Sequence, residues 1–431
     1  MPRYDLAIIG AGWAGFNAAL SAKKLGLKVC IIDAHQIGGT CLNYGCIPTK
    51  TLIACAKIFS LIKKSSDFGI ELDNPRLNLV TIQEKKNKII RQLAQGMQSE
   101  LLGIDFISSL AQIISTQEIK VTGRSINTKF ILIATGSQPV ELPELKFDGK
   151  RIISSDQALA LLEIPQSLLV IGGGVIGCEF ASLFSILGAE VTLSEKALRI
   201  LPNEDIDVSR KLEVIFKKKG IKVVTQADIS TFNLENYSKV LVCVGRLPHT
   251  NGLGLEDLGV ELKNKRIVVD DYLKSSRDNI YAAGDCTAKV MLAHYAAYQG
   301  VMAVQNMFSN HRQKADNLVV PTCIFTEPQI ASVGLNQEDA VRAGFKIKVH
   351  KFDFRANAMA RIIDAADGFV KIISNQENGQ IIGASIIGPQ ATELISTLVV
   401  AISAHLSINQ IRQMIFAHPT FSESLHEVLK D

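Results

Sequence analysis

Cys41 and Cys46 lie in the stretch GGTCLNYGCIPTK, residues 38–50, with four residues between them. Thiols at this spacing can form a redox disulfide, ligate a metal or pack as inert side chains. A plant-type iron–sulfur set needs a third cysteine at position 49, where Thr49 stands. Zinc needs two more Cys or His ligands, and the rest of the eight cysteines are scattered with no recognisable pair. In a regular helix over residues 40–53, the separation spans about 7.5 Å of rise, beyond the ~6.8 Å Cα limit of an unstrained disulfide. Gly45 tolerates unusual torsions, and Pro48 cannot donate to the carbonyl of Tyr44. Helix stability is lowered between and just after the thiols, which favours redox pairing; a plain pair of buried thiols remains the alternative.

The elements that must hold such a pair begin upstream. Residues 6–15, LAIIGAGWAG, read as an apolar strand running into Gly10-x-Gly12-x-x-Gly15, then a helix to Leu25-Gly26 and the strand KVCIID. In such a unit the first glycine makes the tight turn, the second admits a pyrophosphate, and the third packs helix on strand, with the phosphates at the helix N-terminus. Asp33, 23 positions after Gly10, stands where an acid meets ribose hydroxyls. The unit recurs 162 residues later as Gly172, Gly174, Gly177 and Glu195, and Ala19, Leu25, Gly26 and Val29 map onto Ala181, Leu187, Gly188 and Val191. Two copies in register predict two dinucleotide sites, hence two electron carriers and redox chemistry.

At 431 residues and 47% hydrophobic, the chain can bury large cores and reads as two to four domains. The net charge of +4 comes from 46 basic and 42 acidic side chains without a dense basic block, and FKKKG at 216–220 reads as a helix end. No nucleic-acid partner is expected. MPRYDLAIIGAG puts Asp5 before a short apolar run ending in glycines, a strand and turn rather than a signal peptide or membrane span. No membrane association is expected, and scattered cysteines fit a reducing, cytoplasmic setting.

GGTCLNYGCIPTK resembles the redox-active stretch of the pyridine nucleotide-disulfide oxidoreductases (class I), and within them most resembles the dihydrolipoamide dehydrogenases. The resemblance runs along nearly the whole chain in the family's order: ATGSQP (134–139), GGGVIGCE (172–179), VGRLPHTNGLGLE (244–256), NIYAAGDC (279–286), MLAH (291–294), IFTEPQIASVGL (324–335) and AHPTFSE (417–423). It implies an α/β, glutathione-reductase-like fold: two Rossmann-like dinucleotide-binding domains plus a C-terminal α+β dimerisation domain. The expected boundaries are 1–143 and 251–316 for the FAD-binding domain, 144–250 for the NAD-binding domain and 317–431 for the interface domain.

By the same resemblance, Cys41 exchanges with substrate and Cys46 lies against the flavin as the charge-transfer thiolate. His418 is implied as the base, held by Glu423, and Lys50 reaches the flavin N5 region paired with Glu179. On the residues alone, Thr420-Phe421-Ser422-Glu423 also fits a capping box opening a helix in SESLHEVLK, and both roles can coexist. FAD is implied on Gly10, Gly12, Gly15, Asp33, Thr40, Lys50, Ala111, Thr135, Gly136, Ser137 and Asp285, with Met291, Leu292, Ala293 and His294 beside it. NAD is implied on Gly172, Gly174, Gly177, Glu195 and Gly245. Glu195 can accept both ribose hydroxyls and repels a 2′-phosphate, while Lys196 and Arg199 leave NADP use open.

The implied reaction is oxidation of a dihydrolipoyl group, borne by a separate carrier protein of a 2-oxoacid dehydrogenase or glycine cleavage system, with electrons passing through Cys41–Cys46 and FAD to NAD. In the family the C-terminal histidine completes the neighbouring subunit's thiol site, so a homodimer is implied; the apolar stripe of TELISTLVVAISAHL suits either a core or a subunit interface. The alternatives are NAD(P)H-dependent reduction of another disulfide such as glutathione's, and a flavin-binding scaffold without turnover. The chain departs from the family at three places. Only residues 225–240 separate GIKVV from LVCVGRLP, where a longer β-meander is usual, so the adenine-side contact falls at best near Ile229. MIFAHPT replaces the cysteine and histidine that often precede this motif, and Cys286 stands at a position usually aliphatic.

Overall fold

The computed structural model describes residues 3–309, 311–315 and 319–430. The chain opens with β1 (Arg3–Ile9), α1 (Trp13–Lys24) and β2 (Val29–Asp33), two parallel strands joined through a helix. Leu6, Ala7, Ile8, Ile31 and Ile32 are sealed from solvent, as befits strands covered on both faces. With β3 (Asp105–Ser108), β4 (Gln112–Ser115), β5 (Glu118–Val121) and β6 (Arg124–Ile133) they form a sheet of order β3-β2-β1-β6-β5-β4.

Between β2 and β3 lie α2 (Gly39–Asn43), α3 (Cys46–Lys63) and α4 (Leu79–Glu100). A regular helix over 40–53 does not form, and the break falls at the Gly45 that the sequence marks as a weak place. Here α2 ends at Asn43, with Tyr44 as its C-cap, and α3 starts at Cys46, with Gly45 at φ −140°, ψ −111° as the joint. A Cβ at Gly45 would lie 3.0 Å from the Thr40 carbonyl oxygen, a crowding that glycine avoids. Pro48 therefore sits in the first turn of α3, where its missing N–H has no intrahelical bond to lose. The run 39–63 is long and apolar enough to cross a membrane by composition. Here it is broken at Gly45 and packs on α4 and on the later helix Val175–Leu187.

β7 (Ser137–Pro139) leads out of the first sheet. The second unit comprises β8 (Ile152–Ile153), α5 (Ser155–Ala158), β9 (Ser167–Ile171), α6 (Val175–Leu187), β10 (Glu190–Ser194), α7 (Ile206–Lys218), β11 (Lys222–Val224) and β12 (Lys239–Val242). Its strands are parallel, in the order β11-β10-β9-β12-β8. In place of a meander, residues 229–231 and 234–236 form single 3-10 turns. Ile229, Phe232, Leu234 and Tyr237 cover the sheet face made by Leu169, Ile171, Val240 and Val242. Ile229, near which the adenine-side contact is expected, is partly buried against that face.

β13 (Arg246–Pro248) returns antiparallel to β7, and β14 (Leu262–Lys263) and β15 (Arg266–Ile267) make a small hairpin. β16 (Ile280–Ala282) rejoins the first sheet in parallel beside β6. α8 (Ala293–Phe308) then crosses α1 so closely that a Cβ at Gly300 would lie 2.1 Å from the Ala14 carbonyl oxygen. The C-terminal sheet holds β17 (Thr322–Ile324), β18 (Gln329–Gly334), β19 (Ile347–Asp353), β20 (Phe369–Asn375) and β21 (Ile381–Gly388), antiparallel and ordered β17-β18-β21-β20-β19. Helices α9 (Gln337–Arg342), α10 (Ala358–Ile362), α11 (Ala391–Ser403), α12 (Ile408–Arg412) and α13 (Glu423–Glu427) accompany it. Leu394, Ile395, Leu398 and Ala401 of α11 are buried, and the helix packs on β18 and β21, so its apolar stripe serves the core. Lys371 of β20, fully buried, reaches Asp205 and Asp207 at the start of α7 at 2.9 and 3.1 Å, tying the second unit to this sheet. The expected boundary at 316/317 lies outside the described residues.

Candidate active site

Gly12 and Gly174 cap the N-termini of α1 and α6, and no side chain caps either helix. Their first-turn N–H groups are left for an anion. Gly10 and Gly172 take φ +108° and +103°, and a Cβ there would meet the carbonyl oxygens of Ala134 at 2.2 Å and Cys243 at 2.4 Å. At Gly15 and Gly177 it would lie 1.9 and 1.8 Å from the carbonyl oxygens of Gly10 and Gly172. At Gly174 it would meet nothing within 4 Å, so the approach to that N-terminus is open. Both turns fit a dinucleotide pyrophosphate.

Each acid pins its own loop. Asp33 accepts the N–H groups of Ala11 at 2.6 Å and His35 at 2.7 Å; Glu195 accepts those of Gly173 at 2.6 Å and Ala197 at 2.7 Å. A carboxylate has about four acceptor sites, so ribose hydroxyls can still be bound. Arg199 is engaged by Glu338 at 2.9 Å, whereas Lys196 is exposed.

The return of the chain is gathered by Arg246, which the sequence reading passed over in favour of its neighbour Gly245. Its guanidinium donates to Ser137 Oγ and to the Ser137 carbonyl, both at 2.8 Å, and reaches Thr40 Oγ1 at 3.5 Å. Ser137 Oγ in turn donates to Asp285 at 2.6 Å. The available signal was a lone cation inside VGRLP, the motif that carries Gly245. Thr135 Oγ1 donates to the His249 carbonyl at 2.6 Å, and the Gly136 carbonyl accepts the His249 N–H at 2.9 Å. Ala111 precedes β4 and packs with the Ile113 cluster. Met291 and Leu292 lead into α8, which begins at Ala293; His294 Nε2 lies 3.0 Å from the Pro321 carbonyl oxygen. Among the described residues, no hydrogen bond joins these last five to the Arg246 group.

Cys41 in α2 and Cys46 at the start of α3 are free thiols. The Cys41 thiol donates to Cys46; this bond, with help from the Lys50 charge, draws the Cys46 pKa down to about 7 against the effects of burial and Glu179. The same bond and burial push Cys41 up. Above pH 7 the pair then carries a negative charge that rests on Cys46 rather than on Cys41.

Lys50, one turn further along α3, pairs with both oxygens of Glu179 in α6 at 2.8 and 2.7 Å. Glu179 is only 3% exposed and also accepts the Phe325 N–H at 2.8 Å, while the Lys50 ammonium lies 4.7 Å from the Phe325 ring centroid. A buried carboxylate so satisfied is tolerated; unpaired it would be costly.

His418 Nδ1 lies 2.7 Å from Glu423 Oε1, and Glu423 Oε2 accepts the Thr420 N–H at 2.9 Å. The Thr420 N–H first, then His418, hold the Glu423 carboxyl below its usual range. Only that half of the expected capping box exists: Thr420 Oγ1 donates to the Ala417 carbonyl, and α13 begins at Glu423 itself. Glu423 thus holds the His418 imidazole and the Thr420 N–H, and Ser422, not Thr420, stands at the helix N-cap. The His418 side chain is 73% exposed, and among the described residues it makes no hydrogen bond to either thiol of its own chain.

Residues 4–300 match the pyridine nucleotide-disulphide oxidoreductase family, and residues 320–429 match its dimerisation domain. The dihydrolipoyl dehydrogenase of Chlamydia trachomatis serovar D is 38% identical over 441 residues, covering 97% of this chain and 95% of that protein. A dihydrolipoyl dehydrogenase of Bacillus subtilis strain 168 is 38% identical over 447 residues, covering 98% and 97%. Among solved structures, LpdA from Mycobacterium tuberculosis matches with TM-score 0.92 at 28% identity, covering 100% of this chain and 99% of that one. The HOCl-induced flavoprotein disulfide reductase RclA from Escherichia coli matches with TM-score 0.89 at 29% identity, covering 99% of each. With likeness running through both glycine turns, the thiol helices and the C-terminal sheet, this chain belongs to the pyridine nucleotide-disulphide oxidoreductases, flavoenzymes that use FAD and NAD to move electron pairs to or from disulfides.

Proposed function

We propose that this enzyme oxidises dihydrolipoyl groups with NAD, working as a homodimer in which each subunit's His418 serves the other's thiols. The observation that carries the reading is the Cys41–Cys46 pair, with its charge centred on Cys46 next to Lys50. The exposed His418–Glu423 pair supports completion by a second chain, as does the match to a dimerisation domain. The two relatives at 38% identity support the dihydrolipoyl substrate.

In this reading a substrate thiolate attacks Cys41 of the oxidised pair, forming a mixed disulfide and releasing Cys46 as thiolate. The second substrate thiol, deprotonated by His418, displaces Cys41, and the substrate leaves as a disulfide. Two electrons and one proton have then moved to the protein, the first thiol having released its proton when the attacking thiolate formed. Glu423 orients the imidazole and favours its charged form. Lys50 adds positive charge near Cys46, and Glu179 holds the ammonium in place. FAD, held at the first glycine turn, would supply the two-electron chemistry that links the thiol pair to NAD.

FAD is assigned to the first glycine turn with Asp33, Thr40, Thr135–Ser137 and Asp285, to which Arg246 is now added; NAD is assigned to the second turn with Glu195. Residues 1–143 and 251–316 would form the FAD-binding domain, 144–250 the NAD-binding domain and 317–431 the interface domain. The return of β16 to β6 supports this division. The carrier is a separate lipoyl protein of a 2-oxoacid dehydrogenase or glycine cleavage system, and the setting a reducing cytoplasm.

The test is NADH formation from dihydrolipoamide and NAD by the purified, flavin-loaded chain, expected to be fast. Likeness to the disulfide reductase RclA favours a second reading, NAD(P)H-driven reduction of another disulfide. Dominant NADPH–glutathione activity would select it, and failure of NADH to reduce the flavin would leave a scaffold.

A further inference from the structure

Both polar groups of Gly173, inside the second glycine turn, are held. Its N–H donates to Glu195 at 2.6 Å, and its carbonyl accepts the Leu201 N–H at 2.7 Å. The first unit closes in the same way, with the Gly38 N–H on the Ala11 carbonyl at 2.9 Å. Because a peptide is planar and trans, fixing the Gly173 carbonyl also fixes the direction of the Gly174 N–H, which opens the N-terminus of α6. Gly38 makes its bond at φ +94°. Leu201 makes it at φ +46°, a left-handed conformation that a Cβ disfavours and that persists only where the surroundings hold it.

The C-terminal unit supplies that hold on both sides of Leu201. Upstream, the Arg199 guanidinium donates to Glu338 of α9 at 2.9 Å and to the Pro202 carbonyl at 3.1 Å. Downstream, the Glu204 N–H donates to the Leu201 carbonyl at 3.0 Å. The next residue, Asp205, caps α7 and pairs with Lys371 of β20 at 2.9 Å, both side chains being 1% exposed. Lys371 stands directly opposite Lys351 across β19 and β20, a like-charge pair that a sheet by itself resists. Asp205 and Asp207 of the second unit satisfy both lysines. A buried ion pair adds little stability over apolar residues of the same volume, but any slip strands its charges, so it fixes one arrangement.

We propose that residues 199–205 form a strap through which the C-terminal sheet sets the NAD affinity of the second glycine turn, with Lys371 as the positioning residue. The proposal rests on the assignment of NAD to that turn. Loosening the strap lets the Gly173–Gly174 peptide rotate, and its N–H is then no longer aimed for a pyrophosphate. The thiol pair lies outside this route.

The test is calorimetric titration of NAD into the oxidised, flavin-loaded full chain. Lys371→Met leaves Asp205 without its counter-charge; Lys371→Met with Asp205→Asn removes both charges, and asparagine keeps the helix cap. Each is expected to raise the Kd for NAD about tenfold, with flavin content and the rate of Cys46 alkylation in the reduced protein unchanged. An unchanged Kd overturns the proposal. So does a raised Kd accompanied by flavin loss or slowed alkylation, which marks general loosening. Gly177→Ala tests the site itself: intact NAD affinity there removes the NAD assignment and the proposal with it. Affinity lost in Gly177→Ala but kept in both Lys371 variants removes the proposal alone. A second readout needs no substitution. With NAD at about ten times its Kd, hydrogen exchange of the 199–205 amides is expected to slow about tenfold; exchange that does not change overturns the proposal.

Discussion

The turns after β1 and β9 share a backbone, with Gly12 at φ −71°, ψ −174° and Gly174 at φ −73°, ψ −171°. Their acids hold equivalent N–H pairs, Ala11 and His35 in one, Gly173 and Ala197 in the other. The surroundings differ. Trp13 and Phe16 of the first unit become Val175 and Cys178 in the second. After β2 the chain enters Gly38-Gly39 and the thiol helices; after β10 it runs to Asp205 and its buried bridge with Lys371. Two glycine turns of like backbone thus differ in the connection that follows the second strand: one leads to the Cys41–Cys46 pair, the other to a buried ion cluster.

The largest effect is expected where the units differ most. Cys41→Ser should lower dihydrolipoamide-dependent NADH formation at least about a thousand-fold, with flavin content and NADH binding unchanged. Retained turnover would put the exchanging sulfur elsewhere. Next come the positions where the units agree. Gly177→Ala drives a methyl group to 1.8 Å from the Gly172 oxygen and should abolish flavin reduction by NADH while flavin stays bound; Gly15→Ala should lose the flavin itself. Equal damage to both sites from either substitution would mean that the units are not separable.

Glu195→Ala removes the like charge facing a 2′-phosphate. It should shift the ratio of kcat/KM for NADPH over NADH upward by about tenfold, or 1.4 kcal/mol. Asp33→Ala should leave that ratio unchanged. The smallest effect is a pH dependence. Because Cys46 titrates at about 7, its thiolate fraction in the reduced enzyme falls as pH drops through that value. Alkylation of Cys46 should therefore slow about tenfold per pH unit below the midpoint. Cys178 and Cys243 in the second unit, whose thiols burial pushes up, should stay unmodified at pH 8.

The glycine turns were readable in sequence because at Gly10 and Gly172 a positive φ and a carbonyl at under 2.5 Å both exclude a Cβ, and at Gly15 and Gly177 a carbonyl at under 2 Å does. Cys41, Cys46 and the His418–Glu423 pair stood in short local motifs. Gly45 and Pro48 marked a weak place in a helix, but whether the chain bends there or stops depends on how α3 packs against α4 and α6. Arg246 meets its partners from 109 and 206 residues away, a convergence that no local pattern encodes. Lys371 in GFVKIIS reads as the polar side of a half-exposed strand. It is buried because Asp205 and Asp207 arrive from 166 and 164 residues upstream.

Glu179 accepts hydrogen from Lys50, 129 residues before it, and from the Phe325 amide, 146 residues after it. Detaching either partner strands a carboxylate with 5% side-chain exposure, so local opening in one segment carries a penalty that the other two share. Calorimetry of the loaded enzyme should accordingly record one sharp heat-absorption peak. Glu179→Gln should broaden it or split off a low-temperature shoulder from the second glycine unit.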